Sequence, residues 1–153
     1  MKSKKSTTLG AIGAAIGKGL IAGAAGTAAI TLSQMIEMKI TGRSPSDAPA
    51  EAVEKALDIE PKPGNKEALS NKVHWVYGTA WGALRGLLAI TGMTTVAATS
   101  AHFAAVWGTA LAIQPGLKLG PPVSDMEAKD IAVDIFHHAV YAAVAGTVYD
   151  AIY

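Results

Sequence analysis

Cysteine is absent from the chain, which excludes disulfides, thiolate metal ligands, thiol nucleophiles and thiolate-held iron–sulfur clusters. Charge is scarce too. Charged residues make up 16% of the sequence, against roughly 25% in ordinary globular domains, so little remains to clothe a wet exterior. The charge present is balanced: 13 basic and 12 acidic residues give a formal net charge of +1, which offers no nucleic-acid surface. Recognisable catalytic patterns are missing as well. The sequence contains no HExxH, no CxxCH and no paired-carboxylate helix motif.

What is there is apolar. Half of the 153 residues are hydrophobic and the mean hydropathy is +0.30. Much of that character comes from Gly and Ala, which let helix backbones approach closely but supply little bulky core material. Four hydrophobic segments stand out, at about 9–40 (apolar heart 19–36), 71–90, 93–113 and 126–152. A span takes ~20 residues, so each is long enough. The alternative is a soluble helical bundle, kept open by Lys18, Arg85 and Asp134 inside the apolar segments. Four long segments with almost no polar face would leave such a bundle without a hydrated exterior. The expected fold is therefore an all-α membrane protein with four transmembrane helices in a single domain. The opening Lys2-Ser3-Lys4-Lys5 imitates a secretory signal peptide, but the apolar stretch behind it is interrupted by Lys18 and runs too long for an h-region. The first segment is expected to be retained.

Thr91-Gly92 separates the second and third segments so closely that a tight antiparallel hairpin follows. Before the fourth, Pro121-Pro122 is followed by Ser124 and, three residues later, Glu127, the pattern of a capping box. Between the first two segments lies the one sizeable polar region, 37–71. Gly42-Arg43-Ser44-Pro45-Ser46 reads as a turn, a short amphipathic helix is expected over 50–59, and Pro61-Lys62-Pro63-Gly64 breaks it. Val53, Ala56 and Leu57 share one face of that helix, which suits a membrane interface, a partner or plain solvation. The balance of basic residues near the segment ends slightly favours a cytoplasmic long loop with outward-facing termini. The compact Lys-rich N-terminus argues the other way.

Lipid gives helices no hydrophobic reason to associate, so small residues that permit close contact matter. Gly13, Gly17, Gly19 and Gly23 mark the first segment, and Gly78, Gly82 and Gly86 form an i, i+4, i+8 stripe on the second. Ala97, Ala101, Ala104, Gly108 and Ala112 form a ridge on the third, and Ala139, Ala142 and Gly146 continue the pattern on the fourth. Gly19, Gly23, Gly78, Gly82, Gly86, Gly108 and Gly146 are the expected helix-packing positions, within the chain or between copies. Tyr77 and Trp81 read first as interfacial anchors, as do Trp75, Tyr141, Tyr149 and Tyr153 where they lie near an interface, while Trp107 is deeper than an anchor normally sits and suits plain packing.

Ionisable groups inside apolar segments are costly and normally face a partner, a wet cavity or a headgroup. Arg85 and Asp134 form a candidate intramembrane polar site. Arg85 either snorkels outward or turns inward to bind a carboxylate, phosphate or lipid headgroup, while Asp134 can orient His137 or His138. Counted along the helices at 1.5 Å per residue, His102 and His137/His138 come to nearly the same depth. They are candidate ligands for haem, another pigment or a transition metal, against the plainer reading of structural hydrogen bonds. His74 lies nearer the polar boundary.

The Gly/Ala-rich first segment with Gly42-Arg43-Ser44-Pro45-Ser46, followed by His74-Trp75-Val76-Tyr77-Gly78 and His137-His138-Ala139-Val140-Tyr141, resembles a loose set of small bacterial membrane proteins of unknown function. The resemblance implies a multi-span membrane protein and carries over no functional residues; the expected location is the bacterial inner membrane. Three functions follow as expectations. The first is a non-catalytic structural or accessory subunit, packing on itself or on other membrane subunits and surrounded by membrane lipids. The second is a haem-, pigment- or metal-binding protein using His102 and His137/His138, and the third is a small oligomeric channel, transporter or lipid-binding protein.

Overall fold

A computed structural model describes residues 8–59 and 64–152. The fold is all-α, with helices α1 (Thr8–Thr41), α2 (Ala48–Leu57), α3 (Lys66–Ala89), α4 (Thr95–Gly116) and α5 (Ala128–Ala151), and a 3-10 turn at Val123–Asp125. Lys2, Lys4, Lys5, Pro61, Lys62, Pro63 and Tyr153, which carried parts of the sequence argument, lie outside the described residues.

The four long helices run alternately up and down. Gly19 meets Gly82 and Ala15 meets Gly86, so α1 and α3 are antiparallel. Gly26 meets Tyr141, which sets α5 antiparallel to α1, and Gly146 meets Thr99, which sets α4 antiparallel to α5. α1 packs mainly on α3 and α5, and α4 packs on α5 and α3, placing α1 and α4 on one diagonal of the bundle. The α3–α4 hairpin forms at the expected place. Gly92 takes a positive φ of +84° there, Thr91 Oγ1 donates to Leu88 O at 2.7 Å, and Thr94 Oγ1 accepts from Ala97 N to cap α4.

The interior is small and the exterior large. Ala15, Ala22, Ala98, Ala142 and Ala145 are buried, together with Ile30, Val106 and Tyr141, while Trp81 and Phe103 pack against this core. Outside, Leu9, Ile21, Leu32, Met35, Ile36, Ile40, Val76, Val96 and Phe136 are each more than half exposed. Burying one such side chain is worth about 1.5–3 kcal/mol, so a water-soluble chain would turn them inward. Only 17–28% of the residues in the apolar stretches of α1, α4 and α5 are buried, and these three helices are long and apolar enough to cross a membrane. α3, which contains the expected second segment, is not among them. It is long enough, but Lys66, Glu67, Lys72, His74 and Arg85 dilute its apolar character.

α2 forms close to the expected place, two residues earlier at each end, and clasps two other elements. Lys66 Nζ donates to Glu51 Oε1 at 2.7 Å and Ser70 Oγ donates to Ser46 O at 3.0 Å, tying the loop to the start of α3. Lys55 Nζ donates to the carbonyls of Leu117 and Lys118, beyond the last turn of α4. Of the expected apolar face of α2, Leu57 and Ala56 are exposed and Val53 is half-buried, while Ala50 makes the buried contact. The expected capping box is not formed. Ser124 is absorbed into the 3-10 turn and donates to Asp125 Oδ1, and Glu127 is itself the N-cap of α5 without a side-chain cap bond.

Candidate functional site

Close backbone approach organises the crossings between the helices of the bundle. A Cβ on Gly82 would meet the carbonyl of Gly19 and lie 2.6 Å from Gly23 Cα, and a Cβ on Gly23 would lie 2.8 Å from Gly82 Cα. Gly86 faces the Ala15 backbone, Gly78 receives the side chain of Thr27, and Gly146 receives that of Thr99. Gly19, Gly23, Gly78, Gly82, Gly86 and Gly146 therefore stand at crossings between helices of the same chain. Gly108 does not, and nothing lies within 4 Å of its Cβ position. Gly26, which the spacing argument passed over, sits against the Tyr141 ring.

The close approach lets Tyr141 of α5 reach α3, where its hydroxyl donates to Gly78 O at 2.6 Å. Tyr141 is 2% exposed, so it is a core residue and not the expected interfacial anchor. Tyr149 is buried in the same way. Trp81 packs edge-on against Tyr77, and Trp107 stacks on Phe103.

The histidines are drawn to different helices. His102 Nε2 lies 3.0 Å from Trp81 O on α3, and its ring stands 5.5 Å from that of Tyr141. A carbonyl only accepts, so Nε2 carries the proton. His137 turns to α1, where Nδ1 is 2.7 Å from Ser33 Oγ and Nε2 is 4.0 Å from Glu37 Oε2. His138 turns back on its own helix, with Nδ1 bonded to Asp134 O at 2.9 Å and 3.3 Å from Asp134 Oδ1. His74 meets Thr31 Oγ1 at 3.1 Å. His102 lies beside Tyr141, one turn along α5 from His137. Among the described residues, no group of three or more His, Asp or Glu stands together as a metal cage.

Arg85 and Asp134, paired in the sequence reading as one polar site, belong to opposite ends of the bundle. Asp134 Oδ2 accepts from Trp107 Nε1 at 2.8 Å, at the end where Glu37 accepts from Arg43 at 2.7 Å. Arg85 is 1% exposed and bonds through Nη2 to Asp150 Oδ1 at 2.7 Å, its guanidinium 4.7 Å from the Tyr149 ring centre. Arg85 thus points inward and does not snorkel. Asp150 escaped sequence reasoning, although one signal was present. An acid in the last turn of a helix faces the negative end of its dipole and calls for a cation.

Two surface features complete the description. A groove of about 490 Å³ runs between α1 and α5, walled by Leu32, Ile36, Ile40, Phe136 and Val140. A smaller cleft of about 160 Å³ lies beside Arg85. No family model, no curated protein and no solved structure matches the chain.

Proposed function

We propose that this chain is a non-catalytic integral membrane protein in which all four long helices cross the bilayer. In this reading it serves as a small structural or accessory subunit, packed against a second copy or a larger membrane complex. α3 crosses with the others because it lies glycine to backbone along α1 and hides its buried cation, Arg85, against α5. The lipid-facing surface is then the row of large apolar side chains on α1, α4 and α5.

The observation that carries the accessory role is the outward face of α4. Ser100, Ala104, Gly108 and Ala112 repeat every four residues and are exposed. Gly19 and Gly23 of α1 and Gly78, Gly82 and Gly86 of α3 are taken up inside the chain, whereas nothing lies within 4 Å of the Cβ position at Gly108 in the middle of this ridge. Such a face in lipid suits close contact with another transmembrane helix.

The test is extraction in gentle detergent followed by native mass spectrometry of wild type and of Gly108→Leu combined with Ala104→Leu. The expected result is a wild-type assembly, of copies or of unlike chains, that the double variant loses while its thermal unfolding stays unchanged. A monomeric wild type in native nanodiscs, or a variant that assembles as wild type does, would overturn the reading.

A further inference from the structure

We infer that the cleft between the α3–α4 hairpin and the end of α5 binds an oxyanion of the phosphate class, with Arg85 as its principal ligand. The cleft, of about 160 Å³, is lined by Arg85, Met93, Thr95, Ala98 and Asp150 among others. Three independent features meet there.

The first is an underused cation. Arg85 is 1% exposed, yet only Nη2 has an acceptor, while Nε and Nη1 are buried with no hydrogen-bond partner. A guanidinium carries five N–H donors in a rigid fork, and leaving most of them unmatched away from water is costly. An oxyanion that takes Nη2 from Asp150 also gains an adjacent N–H, because phosphate oxygens match the fork two at a time.

The second is the start of α4, whose first residue, Thr95, lines the same cleft. The capping hydroxyl of Thr94 takes the amide of Ala97. The amides of Thr95 and Val96 have no partner within the helix, and the helix dipole favours negative charge at that end.

The third is the counter-ion already in place. Asp150 is 36% exposed in its side chain and stands in the last turn of α5, where the dipole disfavours a carboxylate. It neutralises Arg85 when the cleft is empty and turns out to solvent when an oxyanion takes over. Arg85 sits about 6 Å from the end of α3, the level of lipid phosphates if α3 spans the bilayer. The phosphate thus belongs either to a lipid headgroup or to a free anion, and the two arms of the experiment below separate these sources. The oxyanion site does not depend on α4 docking, and only its lipid source rests on the membrane reading proposed above.

The experiment uses the full chain as wild type, Asp150→Asn and Arg85→Gln. One arm measures retention of phosphatidylglycerol against phosphatidylcholine by native mass spectrometry from mixed nanodiscs. The other titrates inorganic phosphate into detergent-solubilised protein by calorimetry. Removing the competing carboxylate in Asp150→Asn is expected to tighten binding about tenfold, the scale of one charge-assisted hydrogen bond, and Arg85→Gln is expected to abolish it. Selective retention of phosphatidylglycerol without phosphate binding assigns a lipid headgroup, and phosphate binding without lipid selectivity assigns a free anion. Asp150→Asn taking up neither probe more tightly than wild type would overturn the site, a comparison that holds even if Arg85→Gln fails to fold.

Discussion

Gly82→Ala adds one methyl group where the structure leaves no room for it. The new carbon meets the Gly19 carbonyl and stands 2.6 Å from both the Cα and the amide nitrogen of Gly23. Carbon–carbon contacts become comfortable near ~3.5 Å, so α1 and α3 must part by about 1 Å. Every obstructing atom is backbone, and no rotamer can yield. A gap of that size forfeits roughly a quarter to a half of the dispersion energy at the crossing, and overpacking of this kind costs about 1–3 kcal/mol. The proper reference is Gly17→Ala in α1, where nothing lies within 4 Å of the new carbon. Both substitutions gain the same intrinsic helix preference of alanine, about 1 kcal/mol, so that contribution cancels in their difference. Gly82→Ala should therefore be about 1–3 kcal/mol less stable than Gly17→Ala. Reversible unfolding in mixed micelles with increasing dodecyl sulfate, followed by far-ultraviolet circular dichroism, measures the difference. Two variants of equal stability would refute the close α1–α3 crossing.

Tyr141→Phe removes the bond to Gly78 O without changing the shape of the core, and should cost about 1 kcal/mol in the same unfolding assay. Lys55→Ala should speed amide exchange in residues 117–119, because the carbonyls of Leu117 and Lys118 lose their ammonium partner. The hydrogen bond and charge of Lys66 hold Glu51 below its ordinary value of 4.5, and Glu51 in turn holds Lys66 above 10.5. A lowered carboxylate contributes stability above its ordinary value and loses it as pH falls through the folded value. A raised lysine contributes below its ordinary value and loses it as pH rises through the folded one. Docking of α2 should thus hold between these limits and loosen beyond both. Hydrogen exchange in α2 reads this out, and an unchanged exchange pattern in Lys66→Met would show that the pair does not hold the helix.

The long helices, the hairpin and the loop helix were legible because each is written in local sequence. Apolar runs gave the lengths, Thr91-Gly92 gave the reversal, and the polar stretch 37–71 with its amphipathic interior gave the loop helix to within two residues. The direction in which each helix faces was not legible. On α1 and α4 the inward and outward faces are both apolar, so no polar stripe marks the outside. Gly108 and Gly146 look alike in sequence, yet one meets Thr99 and the other meets nothing. The polar contacts were hidden for another reason. Arg85 and Asp150 stand 65 residues apart, Ser33 and His137 104 apart, and no spacing rule links them. The capping box failed because Pro121-Pro122 led into a 3-10 turn that took Ser124 away from the helix start.

Small-residue faces permit close packing but specify register poorly. Gly19 and Gly23 repeat at four residues, as do Gly78, Gly82 and Gly86, so α1 could slip one turn along α3 and still set glycine against glycine. A slip of one turn is about 5.4 Å, far more than any hydrogen bond survives. Moving α1 would drive the Thr27 side chain out of the notch at Gly78 and separate Thr31 from His74. Moving α5 would break Tyr141 from Gly78, Arg85 from Asp150 and His137 from Ser33 together. Each loss leaves a donor or acceptor in a place where water is sparse, at a cost of about 1–3 kcal/mol for each neutral group. The glycines thus set how near the helices lie, and the few polar side chains choose the one alignment among those the glycines allow. That division of labour explains why a chain so poor in charge ties His102, His137, Tyr141 and Arg85 each to a partner on another helix.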